Sequence, residues 1–272
     1  MASTHFDHHD KTALVTGAST GIGAEFAREL AQRGARLVLV ARNETRLEAV
    51  ANELRLRHGT KVTVLPCDLA RSGAIAELAR TLDERNIDVD VLVNNAGYGG
   101  YGRFEEQSLA QQRGQVDLNV AALVDLSHTF VPSIVRRRGG IIHVASTAAF
   151  QPVPYMAVYA ATKAFVLSFS EALWGEYRNR GVRVLALCPG ATDTPFFDRA
   201  GPQAALGPKA SPRDVVRLGL AAFDRNRCHV VHGRANRWLA RLSRVVSRAQ
   251  TVRIASSMME PKTTPARLPS GT

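Results

Sequence analysis

Ala13-Leu14-Val15-Thr16-Gly17-Ala18-Ser19-Thr20-Gly21-Ile22-Gly23-Ala24 is a short apolar run that empties into a glycine-rich turn. The glycines are spaced G-x-x-x-G-x-G. Gly17 permits a tight turn, Gly21 lets backbone approach a pyrophosphate, and Gly23 lets the next helix pack closely on the sheet. That helix follows at once: Phe26, Ala27, Leu30 and Ala31 share one face of Ala24–Arg33, and Gly34 stops it. Its N-terminus presents free N–H groups to an anion, with Ser19, Thr20 and Ile22 filling the turn. A glycine turn alone is weak evidence. Standing between a strand and a helix, it reads as a dinucleotide cradle.

The same alternation continues along the chain. Apolar runs at Leu37–Val40, Val62–Leu65, Val91–Val93, Ile141–Val144, Val182–Leu187 and His229–Val231 read as strands. Between them, helices are predicted around Leu47–Leu54, Ile75–Leu82, Val116–Val135, Ala157–Tyr177 and Val215–Phe223. The strands are apolar throughout rather than alternating. Such strands, separated by helices, imply a parallel sheet buried on both faces. The expected class is therefore α/β: one Rossmann-type doubly wound domain of about seven parallel strands, its ligands at the carboxyl ends of the strands.

Bulk properties narrow the field. The chain has 272 residues, 45% of them hydrophobic, and a formal net charge of +11. That charge suits an anionic ligand, a membrane surface or nucleic acid, or is simply a solvated arginine-rich surface. No base-reading or stacking motif accompanies it, which argues against nucleic acid. Cys67, Cys188 and Cys228 are odd in number and unclustered, so no disulfide framework and no metal site is expected. Free thiols and the lack of an apolar leader point to a cytoplasmic protein. No run of about 18 apolar residues suggests a membrane span.

The loops after the strands carry the chemistry. Val40-Ala41-Arg42 has no acid where an NAD ribose would need one; Arg42 is placed to meet a 2′-phosphate instead, so NADP(H) is expected. Asp68 would accept from an adenine amino group, with Leu69 against the ring, or would cap the next helix. Asn94-Asn95-Ala96-Gly97 offers small residues for a flat ligand and two amides to tie loops together.

The fifth strand ends at Ser146, and Tyr159 and Lys163 follow four apart on one helix face. An ammonium near a phenol lowers its pKa toward a useful range, which would make Tyr159 a general acid/base. Ser146 would orient a substrate oxygen, and Asn119, polar within an apolar helix, would hold a relay water to Lys163. Singly, each has a bland reading: a loop serine, a surface pair, a satisfied core amide. Together with the glycine turn they do not.

This set of motifs resembles the short-chain dehydrogenase/reductase family over roughly residues 11 to 232: Thr16-Gly17-x-x-x-Gly21-Ile22-Gly23, Asp68, Asn94-Asn95-Ala96-Gly97, Asn119, Ser146, Tyr159-x-x-x-Lys163 and Pro189-Gly190-x-x-x-Thr194. The resemblance implies a Rossmann fold and a catalytic tetrad of Asn119, Ser146, Tyr159 and Lys163. It implies that Gly190, Ala191, Thr192 and Thr194 line the nicotinamide end, that Lys163 also binds the ribose, and that the protein forms homodimers or homotetramers. Its general look is similar to the ketoacyl and steroid reductases. The implied reaction is hydride transfer between NADP(H) and a carbonyl or secondary alcohol. The rival class is a non-catalytic NADP(H) sensor, which would have no need of Lys163 beside Tyr159.

A substrate pocket is expected from loops 98–104, 150–156 and 195–208, offering Tyr98, Phe150, Tyr155, Met156 and Phe196. These residues suit a hydrophobic substrate, and loop 195–208 would be a mobile lid. The chain is thus divided into a flexible leader (1–10), the catalytic domain (11–232), a basic amphipathic helical extension (233–260) and a disordered tail (261–272). In the extension, Arg237, Arg241, Arg244 and Arg248 follow helical spacing, with Trp238, Leu242, Val245 and Ala249 one residue on. It would dock on its own domain, on a second subunit or on a membrane surface, making the protein peripheral to a membrane.

Overall fold

Every strand-forming run leads into a helix in the computed structural model, which describes residues 5–205, 207–242 and 246–260. The order is β1 (Thr12–Thr16), α1 (Gly21–Gln32), β2 (Arg36–Ala41), α2 (Glu44–His58), β3 (Val62–Pro66), α3 (Ala74–Glu84) and β4 (Val91–Asn94). Then come α4 (Leu109–Val116), α5 (Ala122–Arg137), β5 (Gly140–Val144), α6 (Ala157–Tyr177) and β6 (Arg183–Cys188). Last are α7 (Phe196–Ala200), α8 (Pro212–Asp224), β7 (His229–Val231), α9 (Arg234–Leu242) and α10 (Arg248–Met259).

Among the described residues the strands form one seven-stranded sheet in the order β3-β2-β1-β4-β5-β6-β7. Each pairing is parallel. Successive side chains explain the unbroken apolar runs. Ala13 and Val15 enter a core with Phe26, Leu30 and Phe223 from α1 and α8. Leu14 points the other way, into a core with Leu78, Leu126 and Ile134 from α3 and α5. A strand buried on both faces has no polar side to show. Strand order reverses between β1 and β4, which opens the ligand crevice at their carboxyl ends.

One long helix differs from the expectation. Residues Leu109–Arg137 run continuously, so the helix begins earlier than the predicted Val116. Its first turns, α4, are polar and carry no apolar stripe to read; Ser108 caps them by accepting from the Gln111 N–H. Between α4 and α5 lies a π-helical turn, Asp117–Ala121, which contains Asn119. By length and composition this helix is apolar enough to cross a membrane. Its Leu123, Leu126, Phe130 and Ile134 are instead buried under the sheet.

The leader, expected to be flexible, packs on the domain through Phe6 and His8. Phe6 is buried with its ring edge-on to Phe223 at 5.1 Å. The buried His8 Nε2 lies 2.8 Å from Asp224 Oδ1, and Arg33 binds the other carboxylate oxygen at 2.9 Å. A single Phe between polar residues carries no periodic signal, so only the tertiary contact reveals it. The predicted tail, 261–272, lies outside the described residues, as do Arg244 and Val245. The predicted single helix of the extension is two: Ser247 caps α10 by accepting from the Gln250 N–H, and this interrupts the arginine spacing.

At the amino ends of β1, β4 and β5, Asp90 is fully buried. Its carboxylate accepts from the Thr12 N–H at 2.9 Å and from Arg137 Nε at 2.7 Å. Burial by itself pushes this carboxyl up; Arg137, the Thr12 N–H and Lys11 outweigh it and hold the group below the usual carboxylate range. Asp90→Ala is expected to destabilise the fold by about 3 kcal/mol, because a buried ion pair and a backbone partner go together. Differential scanning fluorimetry checks this, with a melting point about 6–12 °C lower. A folded pKa below the unfolded value stabilises above the unfolded pKa and is lost as pH falls through the folded one. The deficit of the variant should therefore shrink in acid.

Candidate active site

The cradle is built from hydrogen bonds that cross the β1–β4 crevice. Thr16 Oγ1 donates to Val93 O at 3.2 Å and accepts from the Asn95 and Ala96 N–H groups at 2.9 and 3.0 Å. Asn95 Nδ2 donates to Thr16 O at 2.9 Å. Gly17 and Gly21 adopt φ of +63° and +55°, the left-handed region where a side chain is strained. A Cβ at Gly23 would overlap the Gly17 carbonyl. Helix α1 starts at Gly21 with no side-chain cap and no acid in its first turn. Its N–H groups are thus left for an outside acceptor. Thr194 closes the cradle from the far side, its Cβ 3.0 Å from where a Cβ on Gly21 would stand.

One cleft of about 1140 Å³ joins this cradle to Ser146, Tyr159 and Lys163, while Asn119 stands behind its lining. It is lined by Gly17, Ser19, Thr20, Gly21 and Ile22, then by Arg42, Asp68 and Leu69, and by Asn95, Ala96 and Gly97. Pro189, Gly190, Ala191, Thr192 and Thr194 close it. Gly23 packs behind it. Asp68 accepts from the Ala70 N–H at 3.2 Å, so its side chain serves the local turn as well as the rim. Leu69 is buried beside Val38 and Val40. Arg46, one helical turn beyond Arg42, also lines the cleft; its place only shows once α2 is built.

Ser146, at the end of β5, caps the following turn by accepting from the Ala148 N–H at 3.1 Å. Tyr159 lies on α6, its ring 5.4 Å from that of Phe196. Gly99 is required beside it, since a Cβ there would come within 2.9 Å of the phenol ring. Lys163 is buried. Its Nζ donates to Val144 O at 2.7 Å and stands 5.8 Å from the Tyr159 ring centre.

The electrostatics differ from the sequence expectation. Burial pushes the Tyr159 phenol up to about 12, and a hydrogen bond with Ser146 only partly offsets it. Burial lowers Lys163 to about 8. The ammonium is spent on the Val144 carbonyl rather than on the phenol, which spacing along α6 does not reveal.

Asn119 is also buried, and its amide is engaged by protein. Oδ1 accepts from the Tyr98 N–H at 3.1 Å; Nδ2 donates to Tyr98 O at 2.9 Å and to Thr162 Oγ1 at 3.1 Å. The π-turn aims this amide at the β4 loop, clamping the loop to α6. Asn119 Oδ1 and Lys163 Nζ flank the same small residue, Gly97. The second amide, Asn94, donates to Leu123 O and Ser127 Oγ, tying β4 to α5.

Of the expected pocket residues, Tyr98, Phe150, Met156 and Phe196 line the cleft. Tyr155 does not: it sits at φ +64°, its carbonyl accepting from the Gly102 N–H at 3.0 Å. Loop 195–208 is folded into α7 and a 3-10 turn, Pro202–Ala204, with Phe197 buried. Sequence reasoning missed the contribution of the extension. Leu239, Leu242, Ile254 and Met258 line the same cleft. Asn236 packs on Gly190, where a Cβ would strike its amide. Tyr101 Oη donates to Met259 O at 2.6 Å, fastening the end of α10 to the β4 loop. Among the described residues, Glu171, Cys228 and His229 form the one three-residue group with metal-ligand atoms close together. His229 Nδ1 is already paired with Glu171 at 2.7 Å.

The family model for short chain dehydrogenases matches residues 11–205. A short-chain dehydrogenase from Sphingobium yanoikuyae, in complex with NADPH, is 36% identical, with a TM-score of 0.78 over 86% of this chain and 93% of that one. The bulky-bulky ketone specific alcohol dehydrogenase from Comamonas testosteroni is 33% identical, with a TM-score of 0.73 over 86% and 91%. A short chain dehydrogenase/reductase from Burkholderia phymatum, in complex with NAD, is 27% identical, with a TM-score of 0.79 over 87% and 94%. Match, sheet order and cleft agree: the chain belongs to the short-chain dehydrogenase family of oxidoreductases.

Proposed function

We propose that the protein is an NADP(H)-dependent reductase or dehydrogenase acting on the ketone or secondary alcohol of a bulky, apolar substrate. One observation carries this reading: Tyr159, beside the apolar Phe196, lines the same continuous cleft as the glycine cradle. The residues present fit a dinucleotide, because the crowded glycine turn and the uncapped start of α1 leave backbone N–H groups for its phosphates. The bound nicotinamide supplies or accepts the hydride.

The chain's own groups handle the proton and the substrate oxygen. Ser146 holds that oxygen, and the Tyr159 phenol donates a proton to it as the carbonyl is reduced. A phenol pushed up to about 12 is fully protonated at neutral pH, which suits this direction. Lys163, lowered to about 8, is still mainly an ammonium there; beyond its bond to the Val144 carbonyl it would hold the ribose hydroxyls. Asn119 positions this group through Tyr98 and Thr162. The apolar lining of Phe150, Val153, Met156 and Phe196, with the bulky-ketone specificity of the Comamonas relative, supports a hydrophobic ketone.

Arg42 and Arg46 support the phosphate-bearing cofactor. Both are exposed at the cleft rim, and among the described residues neither guanidinium is in an ion pair. Arg42→Ala should weaken NADPH binding by about 10- to 100-fold, the loss of a charge-assisted contact worth about 1.5–3 kcal/mol. NADH binding should stay within about twofold, since it lacks the 2′-phosphate. Fluorescence titration with both nucleotides decides it; equal losses would remove Arg42 from the phosphate site.

A further inference from the structure

The extension does more than wall the cleft. Within α9, Asn236 and Ala240 face inward. At 100° per residue, Arg234, Arg237 and Arg241 then occupy one flank, and Trp238, Leu242 and Leu239 run from the outward direction toward the cleft. All three arginines are exposed. Trp238 is 72% exposed and Leu239 56%. On the same cleft, α10 adds Ile254 and Met258, 58% and 59% exposed. Of these exposed apolar side chains, Leu239, Ile254 and Met258 also line the cleft, as does Leu242.

We propose that this exposed face, made by α9 and α10, docks on an anionic lipid surface and seats the mouth of the cleft there. Charge selects the occupant. Residues 234–259 contain six arginines and no acid, more than half of the net charge of +11. Arginine beside exposed Trp and Leu matches the layering of a membrane interface, with cations at the headgroups and apolar groups just beneath. A second copy is disfavoured, because a two-fold contact centred on α9 would bring two arginine flanks together, and α9 carries no acid to pair them. Insertion across the bilayer is excluded for α9 by its length of nine residues. The docking does not depend on the proposed reaction.

The test uses the full chain and vesicles of phosphatidylcholine containing about one-third phosphatidylglycerol. Wild type should co-sediment with these, fail to do so with pure phosphatidylcholine, and be released by about 0.5 M salt. In a Trp174→Phe background, Trp238 emission should shift to the blue and be quenched by lipids with brominated acyl chains. Arg237→Glu/Arg241→Glu should weaken binding at least about twentyfold, while Arg237→Lys/Arg241→Lys keeps it; thermal melts confirm that both variants fold. Absence of co-sedimentation, equal binding to neutral vesicles, or undiminished binding by the glutamate variant overturns the proposal. So does a wild-type dimer that Trp238→Ser converts to monomer, which would give the face to a second copy.

Discussion

Tyr159→Phe is expected to lower kcat for carbonyl reduction by on the order of 10³-fold or more, with the Kd for NADPH within about twofold of wild type. The substitution isolates the hydroxyl. The Phe ring keeps its packing against Phe196 at 5.4 Å and its place beside Gly99, so the cleft retains its shape. What is lost is the donor that gives its proton to the substrate oxygen. No neighbour replaces it: the Ser146 hydroxyl is a far weaker acid than a phenol, and Lys163 Nζ is held on the Val144 carbonyl. Steady-state oxidation of NADPH with a bulky apolar ketone measures the rate, and fluorescence titration measures the cofactor. Turnover within tenfold of wild type would refute Tyr159 as the proton donor. A parallel loss of cofactor binding would mean that the phenol acts chiefly in building the site.

Gly23→Ala should have the second largest effect, on the cofactor rather than on the proton. Its new methyl would overlap the Gly17 carbonyl and crowd Asn95 Nδ2. The first is backbone, held at φ +63° in the turn, and cannot rotate away. The second is the amide that donates to Thr16 O and Gly17 O. Relief requires α1 to move off the turn, which pulls its N–H groups from the phosphate position. We expect NADPH binding to weaken by about 100-fold and the fold to lose about 2–3 kcal/mol, as overpacking against backbone does. Gly175→Ala is the control. That glycine lies inside α6 with open space where a Cβ would go, so alanine there should raise stability by up to about 1 kcal/mol. Gly23→Ala behaving like Gly175→Ala in both assays would remove the close approach as the reason for glycine at position 23.

The sheet and the cradle were legible in the chain because their signals are local. A strand buried on both faces reads as an unbroken apolar run, and a backbone passing close to a ligand needs glycine at fixed offsets. Tyr159 and Lys163 were legible for the same reason, since four residues on a helix make one face. Three features carry no such signal. Phe6 and His8 are isolated residues in a polar stretch, and only Phe223 and Asp224, far along the chain, make them buried. Tyr155 belongs to an aromatic cluster in sequence, yet a left-handed backbone turns it out of the cleft lining. Arginines from 237 to 248 keep one helical spacing across a break that the Ser247 cap imposes.

Sequence alone therefore determined the fold class and the glycine turn, because each rests on short-range spacing, and its resemblance to the family pointed to Asn119, Ser146, Tyr159 and Lys163. Tertiary structure decided the condition of those groups. Burial, a property of all neighbours at once, sets Tyr159 near 12 and Lys163 near 8, and commits Lys163 to a carbonyl on another strand. It also decided the shape of the cleft, because α9 and α10, distant in sequence from the β1 turn, fold back to complete its wall.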